Sequence, residues 1–124
     1  MDAPLLVIVD AANVVGSVPD GWWRDRRGAA ERLRDRLAAD GLPGRQEPVE
    51  IVLVVEGAAR GVTSVPGVRV ESAPGSGDDL MVSLVAAAPG RACLVVTADR
   101  ELRRRVGGLG ASVTGPRAVR GGEG

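Results

Sequence analysis

Three stretches of the chain are continuous apolar runs: residues 5–9 (Leu-Leu-Val-Ile-Val), 51–55 (Ile-Val-Leu-Val-Val) and 93–96 (Cys-Leu-Val-Val). None alternates apolar with polar residues, the pattern expected of parallel strands covered by helices on both faces. Two weaker strands fit residues 68–70 and 111–114. Between them the apolar period lengthens. A helix is predicted over 22–39, with Ala30, Leu33 and Leu37 on one face and Arg, Asp and Glu on the other. Asp20 is its expected cap, and Asp40-Gly41-Leu42-Pro43-Gly44 its stop. A second helix is predicted over 78–88, ended by Pro89-Gly90. A third runs from about Asp99 to Gly107-Gly108, with Leu102, Val106 and Leu109 aligned. Strands alternating with helices predict an α/β domain, α/β/α in layers, around a mainly parallel five-stranded sheet. Residues 1–115 read as one domain without internal repeat, and 116–124 as a flexible tail.

At 124 residues the chain suffices for one core, and with only two aromatics, both Trp, that core must be aliphatic. No apolar run approaches the ~20 residues that span a bilayer. The first residues lack a basic leader, so the expectation is a cytoplasmic protein with no membrane partner. Cys93 is the single cysteine and histidine is absent. That removes an internal disulfide, cysteine- or histidine-ligated zinc, and every triad built on imidazole. Chemistry on this chain must run on carboxylates. The sixteen acids are balanced by sixteen cations, all of them Arg. Arginine forks onto phosphates and stacks on bases, although a GC-rich genome gives the same bias.

The carboxylates fall at telling places. Asp10 follows the first strand at once, Glu56 follows the second, Asp99 comes three residues after Val96, and Asp78-Asp79 open a helix. Ligands of a parallel sheet bind beyond the carboxyl ends of its strands. Acids gathered there repel one another unless a cation intervenes, and oxygen-only donors select Mg²⁺ or Mn²⁺. Plainer readings stand beside this one. Ser76 with Asp79 fits a capping box, Asp99 fits a helix cap, and Glu56 fits a turn. Asp10 has no such local reason in Ala11-Ala12.

With these motifs in order, the chain resembles the NYN domains of the PIN-like nuclease superfamily, and within them a small actinobacterial-type subgroup. Val7-Ile8-Val9-Asp10-Ala11-Ala12-Asn13-Val14 is similar to the first strand and DxxN signature. Gly77-Asp78-Asp79-Leu80-Met81 resembles the acidic helix start, and Val95-Val96-Thr97-Ala98-Asp99 the T/S-x-D segment. The resemblance spans residues 5–115 and implies a sheet of order 3-2-1-4-5 and metal-dependent cleavage of RNA. It implies Asp10, Asp78 and Asp99 as ligands of Mg²⁺ or Mn²⁺, with Asn13 orienting Asp10 or the phosphate and Thr97 supporting the last acid. Glu56 stands where many relatives have Asp, as a ligand or a supporting group, and Asp79 competes with Asp78.

The expected activity is therefore a ribonuclease in which ion-activated water attacks the phosphodiester in line, with no side-chain nucleophile. A non-catalytic RNA-binding or interaction module is the competing class. Nucleoside-triphosphate pyrophosphohydrolysis is a third, without support from a REUxEExGU helix or paired ExxE acids. P-loop and receiver-type chemistry lack their lysine. With five site acids neutralised, eleven remain against sixteen Arg, and Arg24, Arg27, Arg100, Arg103 and Arg104 form the expected RNA footprint. Trp22-Trp23 reads either as a base-stacking pair or, for at least one ring, as core filling. The uncharged run from Leu80 to Ala88 predicts an apolar stripe outside the core, hence a homodimer.

Overall fold

The computed structural model describes residues 3–45 and 47–120. Its centre is a five-stranded sheet: β1 (Leu5–Asp10), β2 (Val49–Val55), β3 (Val68–Ser72), β4 (Cys93–Val96) and β5 (Ser112–Thr114). Their order is β3-β2-β1-β4-β5, and every pairing is parallel. β1 therefore lies in the middle, with Asp10 level with Val54 of β2 and Val9 level with Val96 of β4. The chain leaves β1 toward β2 on one side and returns from β3 to β4 on the other. The crevice between the ends of β1 and β4 is thus the reversal point where ligands of such sheets bind.

Helices α1 (Ala11–Gly16) and α2 (Arg26–Asp40) cover one face, and α3 (Gly77–Ala86) and α4 (Arg100–Gly107) the other. The period of two along each strand sorts the side chains. Val7 and Val9 pack toward Leu33 and Leu37 of α2, whereas Leu6 and Ile8 pack toward Met81 and Val85 of α3 and Leu102 and Val106 of α4. Burial on both faces explains why the central strands are apolar without alternation.

Four local expectations change. The first helix begins four residues late: residues 22–24 form a 3₁₀ turn, and Asp25, not Asp20, caps α2 by accepting from the Gly28 N–H at 2.9 Å. α1 is an additional helix, which its brevity and its Val14-Val15 pair hid from the helical pattern. Part of the expected tail is structured. Arg117–Arg120 forms the short helix α5, and Val119 is buried beside the α1–α2 core; residues 121–124 lie outside those described. Finally, α3 is better covered than its sequence suggests. Met81 and Val85 are buried, while Leu80, Val82, Leu84 and Ala88 pack half-buried on the same core. Among the described residues the large apolar side chains left exposed are Trp23 and Leu109.

Candidate active site at the carboxyl edge of the sheet

The central acid is Asp10, the last residue of β1 and only 5% exposed. It has a local role after all. Its Oδ1 accepts the backbone N–H of Asn13 at 3.2 Å, capping α1. Its Oδ2 accepts the hydroxyl of Thr97, a fully buried residue just past β4, at 2.9 Å. The same Thr97 oxygen accepts the Asp99 N–H at 3.1 Å. The Asn13 side chain makes no hydrogen bond to Asp10. Its Oδ1 instead accepts the Ala98 N–H at 2.9 Å, so Asn13 and Thr97 together stitch the exit of β1 to the exit of β4. Arg103 reaches back from α4 and donates to the Thr97 carbonyl at 2.7 Å.

The other acids surround this knot. Asp99 caps α4, its Oδ1 taking the Leu102 N–H at 2.9 Å. Glu56 follows β2 and spans to α3, where its Oε1 accepts the Gly77 N–H at 3.2 Å. Gly77 is buried there, and an added Cβ would stand 2.5 Å from that oxygen. Ser76 caps α3 through the Asp78 N–H, but Asp79 does not close a capping box. Asp79 points outward and pairs with Arg105 at 3.1 Å. Asp78 is half-buried, and its carboxylate accepts no hydrogen bond among the described residues.

Burial raises the Asp10 carboxyl above the usual carboxylate value, against the hydrogen bonds from Thr97 and Asn13; Asp78 and Glu56 add repulsion. Asp78 is raised too, by burial first and then by Asp99 and Glu56, with Arg105 opposing. Asp10, Glu56, Asp78 and Asp99 thus form an electrostatically coupled group of like charges, the arrangement associated with functional sites. They do not form a closed cage. Among the described residues no three acid, histidine or cysteine side chains converge as ligands of one ion.

The expected arginine footprint divides. Arg100 is exposed and, among the described residues, enters no hydrogen bond or ion pair. Arg103 is occupied by Thr97, Arg104 pairs with Glu101, and Arg27 donates to the carbonyls of Arg60 and Gly61. Arg24 lies 5.9 Å over the Trp23 ring. Neither tryptophan is core: Trp22 is half-buried and Trp23 is 53% exposed, with the rings edge to face at 6.1 Å. Two features escaped the sequence reading. Arg105 gave no motif, since its pairing with Asp79 depends on how α3 meets α4. A pocket of about 210 Å³ beside Glu56, walled by Trp22 and Arg26, joins segments far apart in sequence.

No family model matches the chain, and no curated protein does. Among solved structures, the chain is similar to a variant of Rae1 (YacP) from Bacillus subtilis, with a TM-score of 0.67 and 21% identity over 97% of this chain and 73% of that one. The likeness establishes the architecture: both chains share an α/β fold, here a parallel five-stranded sheet of order 3-2-1-4-5 with helices on both faces. No described helix is long and apolar enough to cross a membrane.

Proposed function

We propose that this domain is a ribonuclease that hydrolyses phosphodiesters with a Mg²⁺ or Mn²⁺ ion taken at the edge where Asp10, Asp78 and Asp99 lie, by one or two of these carboxylates together with substrate phosphate. The observation that carries the reading is the coupled set of carboxylates at the reversal point of the sheet, two of them raised by burial and mutual repulsion. The donor set suits the ion in chemistry and charge: all oxygen, and short of compensating cations. An open arrangement also suits it, because Mg²⁺ keeps several waters and uses one or two carboxylates plus substrate phosphate. When bound, the ion supplies Lewis-acid stabilisation of the phosphate and a water of lowered pKa. The chain's own residues do the positioning. Thr97 and the Asn13 N–H fix both oxygens of Asp10, so the carboxylate meets the ion without rotating. Asn13 keeps Asp99 in register with Asp10 by holding Ala98, and Arg105 draws Asp79 away so that Asp78 faces the other acids. Arg100, at the start of α4, offers a free guanidinium to the RNA backbone.

Incubation of unstructured single-stranded RNA with Mn²⁺ tests the reading. Cleavage is expected with wild type and a loss of at least ~100-fold with Asp10→Asn or Asp78→Asn. A second reading, an RNA-binding module without catalysis, draws on the engagement of Asp10 and Asp99 as helix caps. RNA retained but uncut by wild type would select it, and a nucleoside triphosphate in the same assay probes the free-nucleotide alternative.

A further inference from the structure

The pocket beside Glu56 is not needed to hold an ion, and its lining has its own chemistry. Four alanines, Ala11, Ala12, Ala30 and Ala59, give it a small-side-chain, apolar lining. Trp22, half-buried, forms one wall and gives it an aromatic surface. Arg26 holds its guanidinium 5.3 Å over that ring and enters no ion pair among the described residues. Glu56 lines the side toward the carboxylates, and among the described residues its Oε1 is engaged, by Gly77, while Oε2 accepts no hydrogen bond. The volume, about 210 Å³, is below that of pockets taking drug-sized ligands and suits a single flat ring system.

We infer that this pocket seats one unpaired nucleobase of the RNA strand, stacked against Trp22 and Arg26, and that Glu56 selects guanine. The inference rests on the proposed action on RNA and adds a base-recognition subsite to it. Aromatic and arginine faces stack any base and are indifferent to sequence. Discrimination comes from the edge. An ionised carboxylate only accepts hydrogen bonds, and guanine alone offers two adjacent donors, N1–H and the N2 amino group, to its two oxygens. Adenine and cytosine set an acceptor beside their donor, and uracil flanks its one N–H with two carbonyls. Each of these leaves a carboxylate oxygen facing a lone pair.

The two indole N–H signals of the ¹⁵N-labelled full chain give the test, with Trp23→Phe assigning them. Guanosine, adenosine, cytidine and uridine monophosphates are titrated in EDTA, so the result does not depend on cleavage. GMP is expected to shift the Trp22 signal with an affinity at least ~5-fold above the other three. Trp22→Leu and Arg26→Met should weaken GMP binding about tenfold and threefold, and Trp22→Phe should restore most of it. Glu56→Gln should remove the preference while stacking persists. No shift with any nucleotide up to ~10 mM, equal affinity for all four, or an equal shift with ribose 5-phosphate overturns the inference. RNA cleavage without base binding overturns the pocket alone; base binding without cleavage overturns the ribonuclease reading alone.

Discussion

Replacing Thr97 by Val removes one hydroxyl from a fully buried position and leaves the side-chain volume nearly unchanged. Two hydrogen bonds go with it: the 2.9 Å bond to the buried Asp10 carboxylate and the 3.1 Å bond from the Asp99 N–H. A hydrogen bond to a charged group contributes about 1.5–3 kcal/mol, and a stranded N–H that is partly wetted about 1 kcal/mol at most. Thr97→Val should therefore cost ~2–4 kcal/mol, or ~8–16 °C in melting temperature for a domain of this size. Thr97→Ser, which keeps the hydroxyl, should lose only ~1 kcal/mol. Urea denaturation in EDTA measures both. The decisive comparison is the double-mutant cycle with Asp10→Asn, where the cost of Thr97→Val should drop by at least ~1 kcal/mol because the charge it served is gone. The penalty also depends on pH. The bond favours ionised Asp10, so losing it raises that carboxyl further. The penalty grows as pH rises through the range above the ordinary carboxylate value. A loss under ~0.5 kcal/mol, or an equal loss in the Asp10→Asn background, would refute the reasoning.

Metal binding should stabilise the fold by linkage. Millimolar Mn²⁺ at ~100 times its dissociation constant adds about 2.7 kcal/mol, read as a rise in melting temperature. An equal rise in Asp10→Asn/Asp99→Asn would remove these residues from the ion site. Without metal, Asp10 and Asp78 have folded-state pKa values above their unfolded ones, so the native state binds more protons over that interval. Their joint contribution to stability falls as pH rises through the interval and is unchanged below it. Urea midpoints from about pH 4 to pH 7 should show the fall, and Asp10→Asn/Asp78→Asn should flatten it; the same slope in both proteins rejects the coupling. Arg100→Glu should lower RNA affinity and reduce its salt dependence by about one phosphate contact or more. Arg103→Glu, by contrast, should lower the melting temperature, because its guanidinium holds the Thr97 carbonyl; unchanged stability there would contradict that role.

The apolar runs at residues 5–9, 51–55 and 93–96 determined, without coordinates, that the sheet would be parallel and covered on both faces. A strand with no polar position has no face for water. The same runs fixed where each strand ends, so the meeting of Asp10, Glu56 and Asp99 at one edge followed from sequence and sheet geometry together. Local chemistry that depends on distant partners was not legible. Nothing near Asp10 announces that Thr97 will share its proton, because that bond crosses from β1 to the end of β4. Asp78 and Asp79 are equivalent as letters, and only the α3–α4 packing, which brings Arg105 to Asp79, turns one outward and leaves the other among the acids. Trp22 and Trp23 carry the pattern of a helix that starts early. The left-handed turn at Gly21 (φ +81°) and the cap at Asp25 hold them outside the core. The half-buried Trp22 ring beside Glu56 is therefore a product of the tertiary fold. A periodicity argument assigns each residue to a face of its own element, and a pocket exists only where faces of several elements meet.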